Sequence, residues 1–214
     1  MFKPIDSALQ VTDFLLQIKA IKLQPNQPFT WASGIKAPIY CDNRKILSYP
    51  KIRTYIRQEI TKTLSDNFGK PDVIAGVATG GIPLGILVAQ EFGLPFIYIR
   101  PASKSHGLEN KIEGVLEEGQ SVIVIEDLVS TGGSSLKAVN AIRDAGCTVK
   151  GMIAIFTYGL AESVENFKEA KCQLITLTDY ETLIQKAADT SYISASDIKS
   201  LKDWRKDPKN WNPS

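Results

Sequence analysis

Hydrophobic positions along the chain follow two different rhythms. From Ser7 to Ala20, Leu9, Phe14, Leu15 and Ile18, followed by Ile21, recur at roughly helical spacing and predict an N-terminal amphipathic helix. The stretch NQPFTWASGIKAPIYCD, Asn26 to Asp42, then breaks the pattern with Pro, Gly and Ser around two short runs of strand-forming residues, FTW and IYC. An extended segment or small sheet outside the main core is expected there. Ser48-Tyr49-Pro50 opens a helix running to about Asn67, since proline is tolerated in a first helical turn. From Val73 onward the rhythm becomes strand, Gly-containing turn, helix: VIAGV before Ile82–Phe92, and VIVIE before Ser134–Ala145. These apolar runs are short, β-branched and hardly alternating, as strands covered on both faces of a parallel sheet are. PFIYIR, VKGMIAIFTYG and CQLITLT add strands, while Glu162–Ala170, Tyr180–Ala188 and Ser196–Arg205 add helices. The fold class is therefore α/β: an open, mostly parallel, twisted sheet flanked by helices, with an N-terminal addition. Such sheets bind ligands at the carboxyl ends of their strands. The end of the chain, DWRKDPKNWNPS, reads as a polar tail packed by Trp204 or Trp211.

Composition narrows the class. A chain of 214 residues, 43% of them hydrophobic, suffices for a single domain over 1–214 with a sizeable core. Cys41, Cys147 and Cys172 are odd in number and lack metal-ligand spacing, and the start MFKPIDSALQ lacks a secretory pattern, so a reducing cytoplasm is expected. The formal charge of +2 is dispersed, and no apolar run approaches the length of a bilayer span. Neither nucleic acid nor membrane is an expected partner.

The stretch that carries chemistry is Val122–Ser135, VIVIEDLVSTGGSS. An apolar strand ends in adjacent acids, Glu126 and Asp127, and leads into a turn that opens a helix. Gly132 and Gly133 let backbone amides converge on an anion; Ser130, Thr131, Ser134 and Ser135 add hydroxyls, and the helix N-terminus favours negative charge. That combination is a phosphate cradle. Carboxylates touching a phosphate would repel it, so the acids should address sugar hydroxyls and a hydrated Mg²⁺. A Gly-Gly turn alone would read as an ordinary helix entry. Here strand, acid pair and hydroxyl-glycine loop occur in one order, which resembles the phosphoribosyl-diphosphate motif of type I phosphoribosyltransferases. Neither a GxxxxGK[ST] nor a GxGxxG sequence is present, which sets nucleoside triphosphates and dinucleotides aside.

The resemblance implies that Glu126 and Asp127 contact the ribose hydroxyls, and that Leu128, Val129, Ser130, Thr131, Gly132, Gly133 and Ser134 complete the donor-binding segment around the 5-phosphate. A second loop, Thr79-Gly80-Gly81 after VIAGV, stands at the same kind of strand end and can offer amides to the diphosphate. As a bare sequence it reads equally well as a plain strand-helix turn. After PFIYIR, the polar stretch PASKSHGLENKIEG follows Arg100 and holds Lys104 and the lone His106, potential donors able to neutralise a departing diphosphate. Arg-x-x-x-Lys-x-His-Gly resembles the catalytic loop of orotate phosphoribosyltransferases, which reaches across a homodimer interface as a shared lid. FTWASGIKAPIYCDNR also resembles that family's hood over the base, so residues 1–45 are expected to form a hood. The resemblance runs from about Pro28 to Tyr158.

The implied substrates are 5-phosphoribosyl 1-diphosphate and orotate, and the implied cofactor is Mg²⁺, held through the donor's diphosphate and ribose hydroxyls near Glu126 and Asp127. Ser130, Lys36 and Tyr40 are the candidates for the base. Purine relatives of the hypoxanthine type place an aspartate where Ser130 stands. Serine is a poor base, but orotate is already anionic and needs no dedicated carboxylate. The chain departs from the pattern at Ala32 and Gly80, where many members carry lysine, and at Tyr158, where some place an orotate-binding arginine. Lys36 and Arg44 are weak substitutes. The rival readings are a purine or uracil phosphoribosyltransferase, a nonenzymatic regulator using the donor pocket as a sensor, and a sugar-phosphate binding protein.

Overall fold

A computed structural model describes residues 5–31, 34–101 and 111–212. The chain opens with α1 (Ile5–Gln17), whose Val11 and Leu15 are fully buried. Short strands follow: β1 (Ile21–Leu23), β2 (Phe29–Thr30), β3 (Lys36–Ala37) and β4 (Ile39–Cys41). β1 pairs antiparallel with β4, and β2 with β3, so the expected small sheet is two separate ribbons. A 3₁₀ turn (Asn43–Ser48) leads to α2 (Pro50–Phe68), which starts on proline and ends at Gly69 with φ +64°. Ile52, Ile56, Ile60 and Leu64 recur one helical turn apart on its buried face.

The repeating part comprises β5 (Val73–Val77), α3 (Gly81–Phe92), β6 (Phe96–Ile99), β7 (Ile112–Glu113), β8 (Ser121–Val129), α4 (Gly133–Asp144) and β9 (Thr148–Thr157). It closes with α5 (Ala161–Glu169), β10 (Leu174–Asp179), α6 (Tyr180–Asp189) and α7 (Ala195–Lys206). Six strands form one sheet in the order β10-β9-β8-β5-β6-β7, parallel throughout except for β7 against β6. Every residue of β5 is buried, as its non-alternating sequence implies. One core cluster joins Ile21 and Ile39 of the N-terminal ribbons to Ile123 and Ile155 of the main sheet. The other lies between the sheet and α4 and α5, around Val124, Val139 and Phe167.

Two expectations are corrected. β8 does not stop at Glu126: pairing with β9 continues through Leu128↔Phe156 and Val129↔Thr157, so the two acids are strand residues and not the opening of a loop. The tail does not begin at Asp203, because residues 203–206 close the helix expected over 196–205, while Trp204 packs as expected. Trp204 lies on α7, which Ser194 and Asp197 start with a capping box, and it is fully buried. Its ring packs against Trp31, Tyr158 and Tyr180 at centroid distances of 5.6, 5.7 and 5.4 Å. Trp211 packs, partly buried, against the same core. Replacing Trp204 with Ala removes the centre of this cluster and should cost about 3–5 kcal/mol of unfolding free energy. Urea titration of the two proteins checks this, and a loss below about 1 kcal/mol would show that the cluster closes over the gap.

Candidate active site

Three parallel strands, β5, β8 and β9, end side by side, and the candidate residues sit at those ends. The turn after β5 is Ala78-Thr79-Gly80, and α3 begins at Gly81. A Cβ on Gly80 would overlap the Asp127 carboxylate, so this loop and the acid pair are in direct contact. After β8, Ser130 and Thr131 lead to Gly132 at φ +85°, a conformation that favours glycine. The Phe167 ring would lie only 2.7 Å from any Cβ there. Asn166 donates to the Thr131 carbonyl at 2.9 Å, so α5 holds the loop from behind. Leu136 N–H, bonded to the Gly132 carbonyl at 2.8 Å, marks the first closed turn of α4. The amides of Gly133, Ser134 and Ser135 precede it and have no intrahelical acceptor. Gly80 and Gly81 thus lie against residues 125–127 of β8, and the second helix entry, 130–134, follows that strand.

The two acids face opposite sides of the sheet, as strand alternation requires. Glu126 turns toward α4 and is 5% exposed. Its carboxylate accepts from the Ser135 hydroxyl and from the Asp127 amide, both at 3.0 Å. Burial pushes its carboxyl well above the ordinary range, and the adjacent Asp127 adds to the shift. Asp127 turns toward Gly80 and is only half-buried. Burial raises it too, while hydrogen bonding to Glu126 and to the backbone, and then the Arg44 guanidinium, oppose the rise. The Asp127 carbonyl accepts from the side chain of Asn43 at 2.7 Å. Asn43 is 1% exposed and also accepts from the Cys41 thiol at 3.2 Å, which ties the N-terminal ribbons to the acid pair. Sequence reading missed Asn43, because its role depends on a partner 84 positions away.

Between the N-terminal ribbons and the ends of β8 and β9 lies a cavity of about 280 Å³. Thr30, Trp31, Tyr40 and Cys41 line one side; Leu128, Ser130 and Tyr158 line the other. Ser130 and Tyr40 therefore meet at one cavity, whereas Lys36 lies exposed on β3 and is not part of its lining. Arg44 stands near Asp127 but is ion-paired with Asp42 at 2.7 Å. Trp31, whose indole donates to the Ile39 carbonyl at 3.1 Å, was not among the expected site residues. Arg100 sits where β6 ends: its amide donates to the Lys111 carbonyl at 2.8 Å and its guanidinium pairs with Glu113 at 3.2 Å. Lys104 and His106 lie outside the described residues.

The Glu126 shift gives a pH prediction. A carboxyl that holds its proton more tightly when folded than when unfolded stabilises the fold at low pH, and that contribution is lost as pH rises through its folded titration. The ligand-free protein should lose part of its stability as pH climbs above 4.5, the ordinary glutamate value. Glu126→Gln, which keeps the neutral form at every pH, should flatten that decline in urea titrations across the acid range. Equal slopes in the two proteins would remove Glu126 as its source.

Comparison with known proteins agrees with this geometry. The phosphoribosyl transferase domain family matches residues 44–190. An orotate phosphoribosyltransferase of Phocaeicola vulgatus is 60% identical over 197 residues, spanning 92% of this chain and 93% of that protein. Among solved structures, orotate phosphoribosyltransferase from Aeropyrum pernix superposes with a TM-score of 0.75 at 23% identity, over 86% of this chain and 99% of that one. Leishmania donovani UMP synthase superposes with a TM-score of 0.76 at 24% identity; the match spans 92% of this chain but only 43% of that longer one. The structural matches show the shared α/β fold, and the sequence match shows the family: the chain belongs to the phosphoribosyl transferase domain family and, within it, to the orotate phosphoribosyltransferases.

Proposed function

We propose that the chain transfers the ribosyl 5-phosphate group of 5-phosphoribosyl 1-diphosphate to the ring nitrogen of orotate, giving orotidine 5-monophosphate and pyrophosphate. The observation that carries this reading is a pair of helix entries, 79–81 seated against the acid pair and 130–134 following that pair on the same strand, next to a base-sized cavity that Ser130 lines. In this reading the 130–134 amides and hydroxyls hold the 5-phosphate, the 79–81 amides hold the diphosphate, and Asp127 meets the ribose hydroxyls. The glycosidic bond forms from the ring nitrogen as the bond from the anomeric carbon to the diphosphate oxygen breaks. Arg100, Lys104 and His106 neutralise the charge that builds on the leaving diphosphate.

Mg²⁺ fits this arrangement as a donor-bound ion. Among the described residues no group of three or more His, Cys, Asp or Glu side chains could hold a metal alone. The half-buried Asp127, whose carboxyl burial raises, would instead be relieved by a cation carried in on the donor. Bound there, Mg²⁺ supplies charge neutralisation for the leaving group. We further read the chain as one domain with residues 1–45 as its hood, acting as a homodimer that shares the 100–111 segment. The free thiols of Cys41, Cys147 and Cys172 support a reducing cytoplasm, and no described helix is long and apolar enough to cross a membrane.

The test mixes the protein with Mg²⁺ and donor, adds orotate, uracil, adenine, hypoxanthine or xanthine separately, and measures pyrophosphate release. Release with orotate alone is expected; release with another base would overturn the base assignment, and none with any would favour a sensor. Asp127→Asn should weaken productive donor binding by about tenfold or more, one lost charged hydrogen bond, without unfolding the protein. Full activity in that variant would discard the acid assignment. Lys104→Ala should lower kcat far more than it raises the donor KM, because its partner gains charge only as the bond breaks. An unchanged kcat would remove Lys104 from the reaction.

A further inference from the structure

Four hydroxyl-bearing residues, Thr30, Tyr40, Ser130 and Tyr158, line the cavity between the hood and the strand ends, and none of its lining side chains is charged. The Cys41 thiol is already committed to Asn43. Tyr158 differs from the other three. Its ring is clamped by Trp31, Phe156 and Trp204 at centroid distances of 5.2, 5.5 and 5.7 Å, and its amide is bonded to the Val129 carbonyl beside Ser130. The residue is 3% exposed, and its hydroxyl has no hydrogen-bond partner among the described residues. It is not one of the two described side-chain atoms sealed away without a partner, Arg57 Nε and Trp204 Nε1, so its remaining exposure is onto the cavity that it lines. A fixed, desolvated hydroxyl without a partner is costly in the empty site and favourable once an acceptor arrives.

Resting on the transferase reading above, we propose that the Tyr158 hydroxyl is a specificity contact: it donates to an acceptor oxygen of the base, so that an anionic base is read by neutral donors and not by an ion pair. Geometry makes this a donor of fixed direction, because the ring cannot swing without displacing Trp31 and Trp204. Burial pushes the phenol well above its ordinary range, so it carries its proton at every physiological pH. Ser130, on the same wall, supplies a second hydroxyl close to the phosphate loop. A pocket of this kind discriminates strongly against a base that lacks the matching oxygen, since the hydroxyl then stays unpaired.

Tyr158→Phe tests the proposal, because it deletes the hydroxyl and keeps the ring that the aromatic cluster needs. The variant should melt within about 2 °C of the parent, as little packing is lost. Its KM for orotate should rise about tenfold or more, the worth of one hydrogen bond to a charged group, while its KM for the donor stays within about twofold. Orotate binding, followed without turnover through tryptophan fluorescence, should weaken by the same factor. In the parent, raising salt from about 50 to about 500 mM should leave orotate affinity nearly unchanged, as neutral donors are not screened. An unchanged orotate affinity in the folded variant would overturn the proposal, as would an equal rise in both KM values. If the parent releases pyrophosphate only with another base, the orotate reading falls, and the same pair of proteins then tests the hydroxyl against that base.

Discussion

The start of α3 rests directly on the end of β8, with no side chain between them. A Cβ on Gly76 would lie 2.8 Å from the Gly81 carbonyl, one on Gly81 would strike the Ile125 carbonyl, and one on Gly80 would strike the Asp127 carboxylate. Glycine at these positions lets a helix entry and a strand end approach to backbone contact. Everything else in the site depends on that closeness. It seats the 80–81 turn on the end of β8, the strand that runs on into the 130–134 helix entry. It also explains why Asp127 is desolvated without being covered by an apolar side chain.

Carboxylates in such a position are expensive unless something compensates them. Glu126 is compensated internally, by Ser135 and the Asp127 amide, and so acts mainly as a brace between β8 and α4. Asp127 is relieved first by hydrogen bonding to Glu126 and to the backbone, and then by the field of Arg44, itself paired with Asp42. Of the two, Asp127 is the one that stays half-buried, against Gly80 at the entry of α3. Division of labour within an adjacent acid pair follows from strand alternation alone: one residue must face the helix layer and the other the opposite side.

The sheet was legible from sequence because its strands are buried on both faces, and such runs of Val and Ile have few other uses. The donor loops were legible because glycine and hydroxyl residues fall at strand ends, where local order and function coincide. In the hood the runs FTW and IYC predicted an extended segment or small sheet and coincide with β2 and β4, but the split into two ribbons was not legible. These ribbons have strands of two or three residues, too short for any period to register, and their positions rest on tertiary contacts such as Trp31 with Tyr158 and Asn43 with the Asp127 carbonyl. β7 escaped for the same reason, being two residues long. Trp204 was legible as a helical packing residue, but the tail was started too early because Asp203, Arg205 and Lys206 surround it, although one side of a helix can be fully buried while its neighbours stay wet. The base cavity was the least legible part. Its walls come from β2, β4, the end of β8 and the residue after β9, and no local pattern joins those segments.

Arg100 shows how the site can be both held and ready. Its pairing with Glu113 leaves both side chains about a third exposed, at 32% and 28%, so water screens the bond and its net worth is about 0–1 kcal/mol. The backbone bond from Arg100 to the Lys111 carbonyl is independent of that side chain, and it pins the two ends of the intervening segment together at the sheet. A guanidinium that leaves Glu113 for a polyanionic diphosphate therefore gives up little and does not loosen the segment's root. In the proposed reaction this matters most as the glycosidic bond breaks, when the diphosphate gains charge and competes for the guanidinium more strongly than a carboxylate does. A deeply buried ion pair at the same place would oppose that exchange by several kcal/mol. Partial exposure of the Arg100–Glu113 pair is what keeps the cost of that exchange small.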